Sequence, residues 1–145
     1  MTGKADFTEQ EWELVREGPP TAGMITLLAS SGGTFRETWA LAKTFAEARQ
    51  QHGDSELLDA IVAEKPEMTR YHSREEAEGE GLKKLSDAVA LLEQKASPEE
   101  VESYKRFTLS VAERVAEAHK EHGDAVSPEE REAITKIESS LNAPA

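Results

Sequence analysis

A capping box, in which Ser or Thr is followed three residues later by Glu, recurs along the chain and marks where helices begin. In this arrangement the hydroxyl and the carboxylate each accept a hydrogen bond from a backbone N–H that the first helical turn leaves without a partner. The boxes are Thr8/Glu11, Thr34/Glu37, Ser73/Glu76, Ser97/Glu100 and Ser127/Glu130. So many helix starts in 145 residues predict an all-α fold in which no strand is needed.

Proline and aromatic residues strengthen three of these starts. Pro98 and Pro128 stand at the first helical position, where the missing N–H costs nothing and the fixed φ suits a helix. Phe7 precedes the Thr8 cap and is expected to pack on Trp12 as a hydrophobic staple. The helices at these three places are therefore the best defined at their starts.

Glycine and proline also indicate where helices stop. Gly53 and Gly123 stand where a helix takes a left-handed terminal residue, and Gly18 precedes Pro19-Pro20. Together, the starts and stops predict about seven helices, at about 8–17, 21–30, 34–52, 55–64, 74–95, 98–122 and 128–141.

The start of the fifth helix stays open at this stage. Gly79 and Gly81 each cost about 1 kcal/mol relative to alanine inside a helix. The helix therefore either begins after Ser73 and contains both glycines, with or without a kink, or begins near Leu82.

The chain is expected to form one helical domain. Its length and its 37% of hydrophobic residues suit a single core, and stripes such as Leu82, Leu85, Val89 and Leu92 face that core at helical spacing. The expected divisions are a tail at 1–7, a domain at 8–141 with halves at about 8–64 and 73–141 around a loop at 65–72, and a tail at 142–145.

The two halves of the domain resemble each other. Segments 45–55 and 115–125 are identical at six of eleven aligned positions, and both contain His-Gly-Asp. Each copy ends a long helix and precedes another helix that carries an apolar pair. The sequence therefore predicts a single-domain bundle built from two similar helical hairpins, around residues 34–64 and 98–141.

Composition excludes several classes of function. The chain has no cysteine, which removes disulfides, thiolate nucleophiles and metal sites built on cysteine. Its net charge of −12 repels nucleic acids and anionic lipid surfaces. No apolar run reaches the roughly 20 residues of a membrane-spanning helix, and the first residues show no secretory signal. The protein is therefore expected to be soluble and cytoplasmic.

The sequence shows no catalytic constellation. The Ser-Ser-Gly-Gly loop at 30–33 offers hydroxyls beside glycine, but it follows no strand and precedes no lysine, so it is neither a nucleophile elbow nor a phosphate-binding loop. The chain is predicted not to be an enzyme. A site in the loop at 66–73, near Tyr71 and His72, is kept as a distant alternative because loops often carry function.

Two groups of side chains are candidate metal ligands. His119 and His122 are spaced so that both rings lie on one face of a helix, where they could hold a transition metal. Asp124, Glu129 and Glu130 could bind a divalent cation weakly through carboxylate oxygens. A structural interpretation is favoured for the His-Gly-Asp turn, because it accounts for every residue without a ligand: histidine suits a helix end, glycine stops the helix and aspartate opens the next one.

The segment 123–134, Gly-Asp-Ala-Val-Ser-Pro-Glu-Glu-Arg-Glu-Ala-Ile, resembles a turn of the tellurite-resistance protein TerB family. The family pattern is Asp-Gly-x-Val-Ser-x-x-Glu, and here the order of the first two residues is reversed. The resemblance implies an all-helical, internally repeated fold, acidic patches for metal ions and membrane-linked stress-response complexes. Asp124, Glu129 and Glu130 are the residues that would inherit metal binding.

Trp12 is the aromatic residue whose role the pattern leaves open. The aromatic residues that lie at helical spacing with aliphatic ones are expected in the core, namely Phe35, Trp39, Phe45, Tyr104 and Phe107. Trp12 lies between two glutamates, so it either crosses the bundle or presents an apolar patch to a partner. The leading hypothesis is a non-catalytic helical interaction module that binds a protein partner or forms a homo-oligomer, and the alternative is a divalent-cation-binding stress protein.

Overall fold

The computed structural model describes residues 4–29, 35–50, 56–63, 73–120 and 128–142. Within these ranges the chain forms helices and no strand, so the predicted all-α fold is confirmed for this part of the chain. Over the same residues, none of the helices combines the length and the hydropathy needed to cross a lipid bilayer. The elements are a 3-10 turn (Lys4–Asp6), α1 (Glu9–Ala29), α2 (Phe35–Gln50), α3 (Glu56–Ala63), α4 (Arg74–Lys95), α5 (Pro98–Lys120) and α6 (Pro128–Leu141).

The predicted capping boxes start α1, α4 and α5. At α1, the Thr8 N–H donates to Glu11 Oε1 at 2.9 Å, and the Glu11 N–H donates to the Thr8 hydroxyl at 3.1 Å. Ser97 and Glu100 form the same reciprocal pair at α5. The Ser73 hydroxyl accepts a hydrogen bond from the third residue of α4. Two predicted boxes have their hydroxyl residue outside the described ranges, namely Thr34/Glu37 and Ser127/Glu130.

α1 runs through Gly18-Pro19-Pro20, so the helix stop predicted at this point is wrong. The segments predicted as separate helices at about 8–17 and 21–30 form one helix of 21 residues. Proline usually ends a helix because it lacks an N–H donor and its ring crowds the preceding turn. The packing of α1 against α5 offsets the first of these costs at Pro19.

A buried tyrosine supplies the hydrogen bond that Pro19 cannot make. In an uninterrupted helix, the N–H of residue 19 would donate to the carbonyl oxygen of Val15. Here the Tyr104 hydroxyl, from α5, donates to that oxygen at 2.7 Å, so the buried acceptor is satisfied. Gly18 leaves room for the hydroxyl, because a Cβ at this position would lie 1.9 Å from Tyr104 Oη.

α1 is the central helix of the fold. It packs against α4 and α5 and also contacts α6. All six residues from 18 to 23 are buried, so this stretch is enclosed on every side. A helix that is buried all round carries no polar stripe, and the chain indeed has no charged residue between Glu17 and Arg36.

The interior consists of two apolar clusters. The larger one unites α1, α4, α5 and α6 with α3 and contains both Trp12 and Tyr104. In the smaller one, the Phe45 and Phe107 rings meet edge to face at a centroid distance of 5.4 Å. The buried members of the smaller cluster, which joins α2, α3 and α5, are Leu41, Phe45, Val62, Val111 and Val115. Phe45, Tyr104 and Phe107 therefore pack in the interior, as the sequence predicts, and Trp12, whose placement the sequence leaves open, packs there as well. The side chains of Phe35 and Trp39, also predicted in the core, lie outside the described part of the chain.

α4 begins at Arg74, directly after the Ser73 cap, and contains both of its glycines. Their surroundings differ. Nothing lies within 4 Å of a Cβ built on Gly79, whereas a Cβ on Gly81 would lie 2.8 Å from Ile25 Cδ1. Gly81 therefore allows α4 to approach α1 closely where Ile25 is buried.

Alanine at the two glycines of α4 is expected to change stability in opposite directions. Gly79→Ala adds helix propensity in open space and should stabilise the protein by about 0.5–1 kcal/mol. Gly81→Ala places a methyl group against Ile25 and Thr21, so crowding exceeds the gain in propensity and about 1–2 kcal/mol should be lost. Urea unfolding followed by circular dichroism measures both. Equal stabilisation by the two variants would contradict the close approach of α4 to α1.

Two neighbouring helix pairs occupy the positions of the predicted hairpins. α2 packs against α3, and α5 packs against α6. The His-Gly-Asp turns at 52–54 and 122–124 lie outside the described residues. The internal repeat therefore stays a prediction.

Candidate functional site

The predicted metal ligands lie mostly outside the described part of the chain. Asp124 and His122 belong to the segment between α5 and α6, and the side chain of His119 is likewise outside the description. Glu129 is exposed, whereas Glu130 is fully buried. Among the side chains that are described, no three His, Asp or Glu residues lie close enough together to hold a metal ion.

Glu129 and Glu130 lie on different faces of α6. Glu130 shares its face with Ala133, Ile137 and Leu141, all of which are buried. Glu129 precedes it by one residue, which turns its side chain by about 100° around the helix axis, and is exposed. The helix does not direct the two carboxylates to one point, and the acidic metal site stays a prediction.

The distant enzyme alternative near Tyr71 concerns residues outside the described ranges.

Trp12 lies in the core. Its side chain is 3% exposed, and the Phe7 ring covers it at a centroid distance of 5.8 Å, which confirms the predicted hydrophobic staple. Because α1 continues as the central helix of the bundle, it buries the face that carries Trp12 and Val15. Of the two placements expected for Trp12, the structure shows the one across the bundle, and the indole forms no exposed apolar patch for a partner.

A lysine at the end of α4 holds the start of α1. The Lys95 ammonium lies 2.9 Å from Glu11 Oε1 and 5.5 Å from the centre of the Phe7 ring. It also donates to the Asp6 carbonyl oxygen at 3.0 Å. The hydrogen bond from the Thr8 N–H and then that from Lys95 lower the pKa of Glu11 below its ordinary value. Glu11 therefore contributes stability above the ordinary pKa, and this contribution is lost as pH falls through the lowered one.

Replacing Lys95 with methionine should raise the pKa of Glu11 toward its ordinary value of 4.5 without reaching it. The Thr8 N–H still donates to the carboxylate in the variant, and only the cationic partner is lost. NMR titration of the Glu11 carboxyl carbon measures the change. Lys84→Met is the matched control, because Lys84 pairs with Glu17 at 3.6 Å. An unchanged Glu11 pKa in Lys95→Met would contradict the contact.

An open cleft lies where α4 ends and α5 begins. Ala96 takes an extended conformation after the last residue of α4, and Ser97 caps α5, so the two helices meet at a two-residue corner. Positions 98, 101, 102 and 105 share one face of α5 and form one wall of the cleft. Its volume is about 310 Å³, and it is lined by Glu93, Ala96, Pro98, Val101, Glu102 and Lys105.

The lining of the cleft combines apolar and charged side chains at different depths. Val101 is buried and Ala96 is half-buried, whereas Glu93 and Glu102 are exposed. Val101 and Ala96 are therefore less accessible than the two carboxylates, whereas Pro98 is exposed. This arrangement can hold an apolar group while the acids contact a cation at the surface.

The carboxylates of the cleft are only weakly compensated by cations. The Glu102 side chain is 63% exposed, and its Oε1 lies 3.8 Å from Lys105 Nζ, near the limit for an ion pair. Lys105 also donates to Asn142 Oδ1 at 3.3 Å. Within the described part of the chain, Glu93 makes no ion pair. Since exposed pairs contribute little stability, both acids remain open to another cation.

None of the cleft residues is a site residue predicted from the sequence. The sequence assigns Pro98 to the start of its helix, which the structure confirms. Val101 belongs to a buried stripe of α5 that also contains Tyr104 and Thr108. The sequence feature that could indicate the cleft is Glu102, an acidic residue next to this stripe. It lies about one turn after the start of the helix. The opposite wall of the cleft depends on how α4 packs against α5, which no local sequence pattern predicts.

Four buried hydroxyls elsewhere in the described residues have structural partners. Thr26, Thr44 and Thr108 each donate to the carbonyl oxygen four residues earlier. Tyr104 donates to Val15, as described above. These bonds satisfy groups of the helices themselves, so each hydroxyl has an explanation that involves no substrate.

Comparison of the chain with protein-family models, with curated proteins and with solved structures gives no match. The resemblance of residues 123–134 to the TerB family therefore stays a prediction. Any functional assignment depends on the surface chemistry of the fold, and the α4–α5 cleft is a surface feature on which such an assignment can be based.

Proposed function

We propose that this chain is a non-catalytic helical interaction module that binds a protein partner in the cytoplasm. The observation that carries the proposal is the α4–α5 cleft, where the less accessible Ala96 and Val101 lie beside exposed carboxylates. Protein interfaces commonly combine an apolar centre with a polar rim. The proposal concerns binding and assigns no reaction.

The hydrogen bonds of the helices around the cleft support the proposal because they hold these helices in one conformation. Reciprocal capping bonds start α1 and α5, and the buried bond from Tyr104 to Val15 ties these two helices together. A surface held in its binding conformation loses little conformational entropy when a partner binds. Binding residues on helices are also held more accurately than those on loops.

Affinity capture from native lysate, followed by reconstitution, tests the proposal. The immobilised protein should retain a defined partner, and the purified partner should bind it in a fixed ratio by calorimetry. A helical protein of similar size and charge is the control bait. Sedimentation velocity at several concentrations tests the homo-oligomer alternative. A chain that stays monomeric and retains no partner would contradict the proposal.

A thermal melt separates the proposal from the predicted cation-binding alternative at Asp124, Glu129 and Glu130. An ion that binds the native state raises the melting temperature as its concentration rises. The proposal expects no such rise with millimolar Ca²⁺ or Mn²⁺, relative to a buffer of the same ionic strength. A concentration-dependent rise would favour cation binding instead.

A further inference from the structure

Resting on the proposed function, we infer that the α4–α5 cleft is the docking site for a basic segment of a partner protein, in which an aliphatic side chain is flanked by lysine or arginine. Three properties of the molecule carry the inference. They are the size and apolar lining of the cleft, its weakly compensated carboxylates, and the net charge of the chain.

The cleft is large enough to admit an aliphatic side chain, and part of its lining is apolar. Its volume of about 310 Å³ lies at the lower end of the roughly 300–1,000 Å³ typical of ligand pockets. Ala96, Pro98 and Val101 supply apolar surface. An aliphatic side chain that enters the cleft removes this surface and its own from water, which is favourable.

The carboxylates at the cleft favour positively charged residues on each side of the partner's aliphatic side chain. Glu93 comes from α4 and Glu102 from α5, so the acids border the cleft from two helices. Lys105 hydrogen-bonds Asn142 and lies 3.8 Å from Glu102, which leaves both carboxylates accessible to a stronger partner. Lysine or arginine on each side of the aliphatic residue would form charge-assisted hydrogen bonds with them.

The charge of the whole chain favours this occupant over two others. A net charge of −12 attracts a basic segment over long range and accelerates its association. A second copy of the chain would bring the same negative charge to the interface, and a nucleic acid would bring its phosphates. The cleft therefore fits a basic segment of a different protein.

The experiment uses the full chain and capped nine-residue peptides. The first probe has a central leucine with two lysines on each side, the second replaces leucine by glycine, and the third replaces the lysines by glutamates. Heteronuclear NMR should show the first peptide shifting the amide signals of Ala96, Val101 and Lys105. The second and third peptides should bind at least tenfold more weakly. Shifts centred on another face, or no binding of the first peptide, would overturn the inference.

Charge-reversal variants locate the contact. Glu93→Lys combined with Glu102→Lys should weaken binding of the first peptide at least tenfold. The matched control is Glu113→Lys combined with Glu117→Lys, which changes the net charge equally at exposed positions of α5 and should weaken binding far less. Circular dichroism confirms that both variants fold. Equal loss in the two variants would show attraction by net charge alone and would overturn the assignment of the cleft.

The same variants separate failure of this inference from failure of the proposed function. A captured partner that binds the cleft variant as tightly as the original chain would leave the proposed function intact and overturn the docking site. Self-association that the cleft variant abolishes would identify a second copy as the occupant and would overturn the basic segment. Absence of both a partner and self-association would contradict the proposed function itself.

Discussion

Gly18→Ala is expected to destabilise the protein by about 3 kcal/mol or more, because the added methyl group and the Tyr104 hydroxyl cannot occupy the same space. A Cβ on Gly18 would lie 1.9 Å from Tyr104 Oη and 3.0 Å from Cζ of the same ring. Either α1 moves away from α5 or the ring shifts and loses its bond to Val15. Overpacking costs about 1–3 kcal/mol, and an unsatisfied buried carbonyl adds about 1–3 kcal/mol.

Urea unfolding of Gly18→Ala measures this loss, and Gly23→Ala is the matched control on the same helix. A Cβ on Gly23 would lie 3.2 Å from Val111 and 3.3 Å from Leu41, distances that small side-chain shifts can relieve. The control should therefore lose less than about 1.5 kcal/mol. If the two variants were equally stable, the tight contact between Gly18 and Tyr104 would not exist in solution.

The sequence predicts helix starts well because their chemistry is local. Thr8 and Glu11, or Ser97 and Glu100, satisfy each other's backbone donors within one turn. Such a pair stabilises a helix start in any surroundings. The predicted range of the fifth helix, 74–95, agrees with α4 for the same reason, since the Ser73 cap operates whatever the glycines beyond it contact.

The course of α1 could not be predicted in this way because a distant residue decides it. Gly18-Pro19-Pro20 has the local chemistry of a helix stop. It lies inside a helix because Tyr104, on another helix, satisfies the Val15 carbonyl oxygen. The lack of charge between Glu17 and Arg36 is the one sequence signal that favours a buried, continuous segment here.

The candidate site was harder still to predict from sequence. Pro98, Val101, Glu102 and Lys105 share a face by helical spacing, but the opposite wall exists only because Ala96 turns the chain between α4 and α5. The sequence predicts the two-residue connection, because the predicted helices end at 95 and begin again at 98. Whether it leaves an open cleft depends on side-chain packing that spacing alone does not give.

Tyr104→Phe is expected to destabilise the protein by about 2 kcal/mol while leaving the shape of the core unchanged. The variant removes only the hydroxyl, so the Val15 carbonyl oxygen, which Pro19 already deprives of its helical donor, is left buried without a partner. Thr108→Val is the control. Its hydroxyl is also buried, but the carbonyl it contacts is that of residue 104, four residues earlier in an unbroken helix, so this variant should lose less than about 1 kcal/mol.

The same substitution should change how stability depends on alkaline pH. Burial raises the pKa of the Tyr104 phenol above its ordinary value of 10.0. Above pH 10 the phenol therefore ionises in the unfolded state more readily than in the folded state. The contribution of the buried phenol to the free energy of unfolding is complete below its ordinary pKa and declines as pH rises beyond that value. Between neutral pH and about pH 11, Tyr104→Phe should lose stability less steeply than the original chain. Parallel pH profiles would contradict the burial of the phenol.

A double-mutant cycle joins the two predictions, because Gly18 and Tyr104 contact each other through one oxygen atom. In the Tyr104→Phe background that oxygen is absent, and the nearest remaining atom to a Cβ on Gly18 would be the ring carbon at 3.0 Å. Gly18→Ala should therefore cost at least about 1 kcal/mol less in that background than in the original chain. Additive losses would mean that the two residues act independently, and the continuity of α1 through Pro19 would then need a different explanation.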